Sequence, residues 1–210
     1  MPIAKLRDRE VQAGKDSAGG RESVLAAALE SFAAQGFHGT SMRDIAARAD
    51  MSISAAYYYF PSKADLLRHI MVSVTEDLIA ILETARDTAS DTPAARLAAI
   101  VRAYVRLHTE RQTESFIGTS ELRSLSADDR ASVVALHDRV SDIFKTVIAD
   151  GCRSGQFDCP HPAEATRAIA TMCTAVAGWY RASGPHNPQT IADRYATLAL
   201  RLVGSAAERR

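Results

Sequence analysis

From residue 21 onward, apolar residues recur at three- and four-residue spacing, the period of helices that bury one face. Val24, Leu25, Ala28, Leu29 and Phe32 open this pattern, and Gly36 stands where a C′ residue would end the first helix. After the turn Phe37-His38-Gly39, Ser41 with Asp44 forms an S-x-x-D start signal. It predicts a short helix from Met42 to Ala49 with Ile45 and Ala46 on its inner face. Ser52 is placed to cap a third helix from Ile53 to Phe60, which Pro61 stops. Ser62 with Asp65 starts a fourth, longer helix. Its stripe runs through Leu66, Leu67, Ile70, Val74, Leu78, Ile81 and Leu82.

The helical period continues to the C-terminal end. The pattern predicts helices over 93–109, 126–153, 162–183 and 188–203, with a turn-rich break over 155–162. No useful β-type alternation occurs, so the expected fold is all-α, with about nine helices. Three segments are expected: a glycine-bearing flexible arm over 1–20, a small domain over 21–67 and a larger helical domain over 68–210.

Composition changes this picture little. Hydrophobic residues make up 47% and charged residues 24%, as in ordinary globular chains. No apolar run approaches the roughly 20 residues that span a bilayer, and the first 20 residues lack a signal-peptide core. A cytoplasmic, nucleoid-associated location without membrane contact is expected. Cys152, Cys159 and Cys173 are too few for a disulfide framework. Cys152, Cys159 and His161 raise the question of zinc, but there is no CxxC pair and no evident fourth ligand, so no metal or cofactor is expected. The histidines are scattered, and no nucleophile set, phosphate loop or carboxylate pair stands out, so an enzyme is not expected. Formal net charge is zero; residues 1–69 hold nine Lys and Arg against eight Asp and Glu. Bulk charge therefore lends no support to a nucleic-acid partner.

Spacing does. Three short helices, the last two joined by a tight turn, have the dimensions of a helix-turn-helix over about Ser41 to Phe60. Its second helix would lie in the major groove of double-stranded DNA. Residues 21–67 resemble the N-terminal domain of the TetR (tetracycline-repressor) family. The resemblance is carried by Ala27-Ala28 with Phe32, Gly36-Phe37, Gly39-Thr40-Ser41, Ile45-Ala46, Ser52, Tyr57-Tyr58-Tyr59-Phe60, and Ser62-Lys63 with Leu66-Leu67. Asp50 and Ala56 depart from it, standing where the family usually has glycine and a larger apolar residue.

The residues then take roles. Thr40 and Ser41 present hydroxyls and free N–H groups suited to a phosphate, while Ser41 also caps. Arg43 projects from the first turn of helix 2, where the resemblance implies contact with a base edge. Ser52, Ser54 and Ala55 open the recognition helix, Ala55 suiting a thymine methyl. Tyr57 and Tyr59 are implied to touch DNA although they stand about 200° apart around the helix. Tyr58 and Phe60 are expected to pack inside, and Lys63 to hold a phosphate. Lys5, Arg7, Arg9, Lys15 and Arg21 either meet phosphates or form a solvated tail.

The resemblance further implies a homodimer through the last two helices, with Ala168, Met172, Ala175, Trp179, Tyr195, Leu198 and Leu202 as interface candidates. It also implies a repressor released from its operator by a small-molecule effector. Polar and aromatic interruptions of the apolar faces mark the candidate effector contacts Tyr104, His108, Phe116, Glu121, Arg123, His137, Phe144, Trp179 and Tyr180. Glu121 to Leu125 and Gly178-Trp179-Tyr180-Arg181 resemble a TetR subgroup that responds to acyl-CoA thioesters. The competing reading is a ligand-independent architectural or division-associated DNA-binding factor.

Overall fold

Helices make up most of the described part of the chain, and each starts or stops for a local reason. The computed structural model describes residues 3–205, with side chains from residue 19. Helix α1 spans Ile3–Gly39 and breaks at Gly36, whose φ of 70° lies in the left-handed region that glycine enters without a Cβ penalty. Ser41 caps α2 (Met42–Arg48) in a full capping box: its Oγ accepts from the Asp44 N–H, and the Asp44 carboxylate accepts from the Ser41 N–H. Ser52 Oγ accepts from the Ala55 N–H and starts α3 (Ile53–Tyr59). Helix α4 (Lys63–Thr88) begins with the same device, Ser62 Oγ accepting from the Asp65 N–H.

The turn between α2 and α3 rests on Asp50, the one non-glycine residue at positive φ (54°) among those described. An aspartate tolerates this region at a cost that glycine does not carry. Asp50→Gly is expected to raise stability by about 0.5–1 kcal/mol, read as a higher denaturation midpoint at unchanged slope.

Two compact units result. The first comprises residues 1–70 together with 121–125, the second 71–120 and 126–210, so the boundary falls inside α4. In the first, α1, α2 and α3 enclose Val24, Ala28, Phe32, Ile45, Ala46, Ala56 and Phe60. The segment 121–125 contains a 3-10 turn, Leu122–Ser124. The Glu121 carboxylate there accepts from the Phe37 N–H at 3.4 Å and from the Ser124 hydroxyl at 2.7 Å.

The second unit is built on α5 (Pro93–Glu110), which packs against α7 (Ala127–Arg153), α8 (Pro162–Trp179) and α9 (Pro188–Leu202). Thr92, Ser126 and Asn187 cap α5, α7 and α9, and α5, α8 and α9 each begin with proline. The core runs from Leu97, Ile100 and Val101 through Phe144, Val147 and Ile148 to Ile169, Val176 and Ala196. Helix α6 (Gln112–Ser120) was not among the expected helices, because QTESFIGTS shows no clear apolar stripe. Helix α8 ends four residues before the expected Ser183. The Gln112 amide donates to the Ala177 and Tyr180 carbonyls and satisfies the helix end there. Among the described residues there is no strand, only an isolated bridge between Phe157 and Ser205.

Candidate nucleic-acid interface

A helix of seven residues with one buried side chain presents nearly all its surface outward. In α3 only Ala56 is buried within the helix, followed by Phe60 one turn later. Seen from that pair, Tyr58 lies on the outer side and Tyr57 and Tyr59 flank it, by the 100° step of a helix. The structure follows that geometry. Tyr58 is 79% exposed and Tyr57 46%, with Ile53 and Ser54 beside them at the exposed start of the helix. Tyr59 is only partly exposed, its ring lying over the Cα of Gly20, where a Cβ would strike the Tyr59 hydroxyl. The expectation that Tyr58 packs inside is therefore corrected, while Phe60 is buried as expected. Counting the helical step from Ala56 would have identified Tyr58.

Arg43 is exposed on α2, with no hydrogen-bond or ion-pair partner among the described residues. Exposed Ser41 has its hydroxyl bonded to the Asp44 carboxylate at 2.6 Å. Hydrogen bonding to Ser41, side chain first, holds the Asp44 carboxyl below its usual range. Ser52 has its Oγ engaged in capping, and Ala55 is half-buried beside it.

Thr40 differs from expectation. It is buried, and its hydroxyl is turned inward to the carbonyls of Gly36 (2.9 Å) and Ser31 (3.2 Å), so this hydroxyl is not offered to a phosphate. Arg21 also folds back. Its guanidinium meets His69 at 3.2 Å and lies 4.6 Å from the Phe60 ring centre, a stacked cation rather than part of a free tail. Lys5, Arg7, Arg9 and Lys15 lie outside the residues whose side chains are described.

Lys63 carries a structural duty. Its ammonium donates to the carbonyls of Phe37 (2.5 Å) and Thr40 (2.6 Å) and sits 4.2 Å from the Phe37 ring centre. It thereby ties the α1–α2 turn to the start of α4, leaving one N–H donor. Lys63→Ala is expected to destabilise the protein without DNA by about 2 kcal/mol, since two charge-assisted bonds are lost. Chemical denaturation checks this; an unchanged midpoint would return Lys63 to a pure phosphate role.

In the second unit, several candidate effector contacts come together. Tyr104, His108 and Phe144 are buried on α5 and α7, with ring centres 4.7 Å and 5.9 Å apart around Tyr104. Thr174 donates to the Ala170 carbonyl, so the Tyr104 hydroxyl donates to Thr174 at 2.8 Å. His108 Nδ1–H donates to the Tyr104 carbonyl at 3.2 Å, leaving Nε2 as an acceptor. Burial pushes the His108 pKa down to about 4, so the ring is neutral at pH 7. Tyr180 joins the same core, and burial lowers the pKa of half-buried His137.

Phe116, Arg123 and Trp179 are exposed and stand outside this buried cluster, and Arg123 with Glu121 belongs to the first unit. Trp179 instead stacks on Tyr195, ring centres 6.3 Å apart. One residue escaped the sequence reading: Ser115 on α6, whose buried Oγ has no hydrogen-bond partner among the described residues.

Comparison with known proteins fits this geometry. Residues 24–70 match the family of bacterial regulatory proteins, tetR family, and residues 90–203 match the tetracyclin repressor-like C-terminal domain. The HTH-type transcriptional regulator RutR of Escherichia coli K12 is 36% identical over 81 residues, 39% of this chain and 35% of RutR. The chain thus spans about a third of the length of the curated relatives it matches. A tetR-family regulatory protein from Rhodococcus RHA1 is 33% identical, with 89% of this chain and 98% of that one covered and a TM-score of 0.85. AibR, solved in complex with isovaleryl coenzyme A and operator DNA, is 22% identical with a TM-score of 0.78. That alignment covers 89% of this chain and 99% of AibR, and it speaks for the fold alone. The helix-turn-helix lies within the first matched segment and α5 to α9 lie within the second, and the chain belongs to the TetR family of transcriptional regulators.

Proposed function

We propose that this chain is a repressor that binds a two-fold operator as a homodimer and leaves it when an acyl-CoA thioester binds the C-terminal unit. The observation that carries the DNA half is the exposed face of α2 and α3: Arg43, Ile53, Ser54, Tyr57 and Tyr58 stand outward on a capped helix-turn-helix. Tyrosine hydroxyls and an unpaired guanidinium are the groups that meet phosphates and guanine edges. Thr40 contributes its backbone rather than its hydroxyl, and Lys63 has one remaining N–H for a phosphate.

For the effector, Tyr104, His108 and Phe144 supply an apolar wall with a neutral imidazole acceptor at Nε2. The unpartnered Ser115 hydroxyl is a second polar group in the same unit, and a buried hydroxyl without a partner costs about 1–3 kcal/mol until one arrives. An acyl thioester combines an apolar chain with amide and carbonyl groups that fit such a wall. Helices α8 and α9 expose Trp179 (47%), Leu198 (51%) and Leu202 (43%), side chains that a second copy would cover.

Gel retardation on a sequence selected from genomic DNA tests this reading, with acyl-CoA thioesters of increasing chain length added. Release by one chain-length class is the expected result. Retention with every thioester would overturn the effector assignment and favour a ligand-independent DNA-binding factor.

A further inference from the structure

The turn joining α7 to α8 doubles back on itself closely. Past the end of α7 at Arg153, Gly155 takes a φ of 70°, and the N–H groups of Gln156 and Phe157 both donate to the Gly151 carbonyl, at 2.9 and 3.0 Å. The Phe157 ring fills the space a Cβ on residue 151 would need, so only glycine there allows the returning chain to lie so near α7. Two further anchors hold it: Phe157 bridges to Ser205, and the Asp158 N–H donates to the Gly204 carbonyl at 3.3 Å. This fold-back brings Cys152, in the last turn of α7, together with Cys159. The two side chains are close enough to perturb each other, and the His161 backbone also acts on the Cys159 sulfur. Both side chains are partly buried against the same core. No group of three or more His, Cys, Asp or Glu among the described residues is arranged to hold a metal ion.

We propose that Cys152 and Cys159 form a reversible intramolecular disulfide when the protein meets a hydroperoxide, giving this regulator an oxidation site separate from its DNA and effector sites. One thiolate attacks the O–O bond, forming a sulfenic acid and releasing the alcohol. The second sulfur attacks the sulfenic sulfur, the S–O bond breaks, and water leaves with the second thiol's proton. Two electrons pass from the thiol pair to the peroxide, and a small dithiol reverses the change by exchange. Burial, ahead of the neighbouring Cys152 and Asp158, pushes the Cys159 thiol up, so thiolate is scarce near neutral pH and the pair reacts slowly. Cys173 is fully buried in the core and serves as an internal reference.

Trypsin cuts between the two cysteines at Arg153, which makes the test direct. The reduced full-length protein is treated with cumene hydroperoxide, alkylated after denaturation and digested without reductant. The expected product joins the peptide ending at Arg153 to the one beginning at Ser154, with the loss of two hydrogen atoms and reversal by dithiothreitol. Cys173 is expected to be alkylated throughout. Cys159→Ser is expected to leave Cys152 as a sulfenic acid that dimedone traps, with no joined peptide. Full alkylation of both cysteines after treatment would overturn the proposal, as would linkage only between separate chains or to Cys173.

Discussion

Tyr58→Ala and Tyr57→Ala are each expected to weaken operator binding by roughly tenfold to a hundredfold, the loss of one hydrogen bond to a charged group. The two side chains are the most exposed aromatics of α3, Tyr58 at 79% and Tyr57 at 46%, so truncation should leave folding stability within about 1 kcal/mol of wild type. Tyr59→Ala should behave differently. Its ring lies over Gly20 and meets Tyr58 edge-on at 5.2 Å, so its removal should cost stability as well as affinity. Arg43→Ala separates reading from anchoring. An arginine bidentate to guanine is worth about 1–3 kcal/mol of discrimination, so the variant should lose preference at one base pair in each half-site. Fluorescence-anisotropy titrations against operators varied one pair at a time measure this. Equal loss on every sequence would make Arg43 a phosphate contact.

Acid is expected to loosen the C-terminal unit through His108. The folded pKa is about 4 against 6.5 for an unperturbed imidazole, so above pH 6.5 both folded and unfolded states are neutral and nothing is lost. Between 6.5 and about 4 the unfolded chain binds the proton and the folded one does not, so stability falls as pH falls through that window. The full loss is about 3 kcal/mol. Half-buried His137 shifts in the same direction and adds to the slope. Denaturant unfolding at pH 7 and pH 4 should therefore show a fall in wild type that is smaller by about 3 kcal/mol in His108→Gln. Parallel falls would mean that the imidazole is protonated, or reached by water, in the folded protein.

The helix-turn-helix was legible because its signals are local. Ser41 with Asp44, Ser52 and Ser62 with Asp65 each act within one turn of chain, and all three caps form as their spacing implies. Asp50 in the left-handed region was readable for the same reason. Side-chain destinations were less so. The hydroxyl of Thr40 turns to carbonyls four and nine residues back, and the ammonium of Lys63 reaches carbonyls more than twenty residues away. Only the Thr40–Gly36 step has helical spacing; the other contacts follow no period, so no pattern announces them. Helix α6 escaped because only Ser115, Ile117 and Gly118 are buried on it, too few and too small for a stripe. Residues 121–125 escaped because their partners, Phe37 and His38, stand over eighty positions earlier in the chain. The buried trio of Tyr104, His108 and Phe144 was legible as residues, but its hydrogen bonding was not.

Helices α2 and α3 are proposed to read a two-fold DNA site. Selection of fragmented genomic DNA on the purified full-length protein, followed by sequencing, measures this most directly. One enriched palindromic motif is expected, with half-sites centred about one helical turn or a multiple of it apart, and it should disappear with Tyr58→Ala. Enrichment without any shared sequence, or a motif that survives loss of both Arg43 and Tyr58, would contradict it.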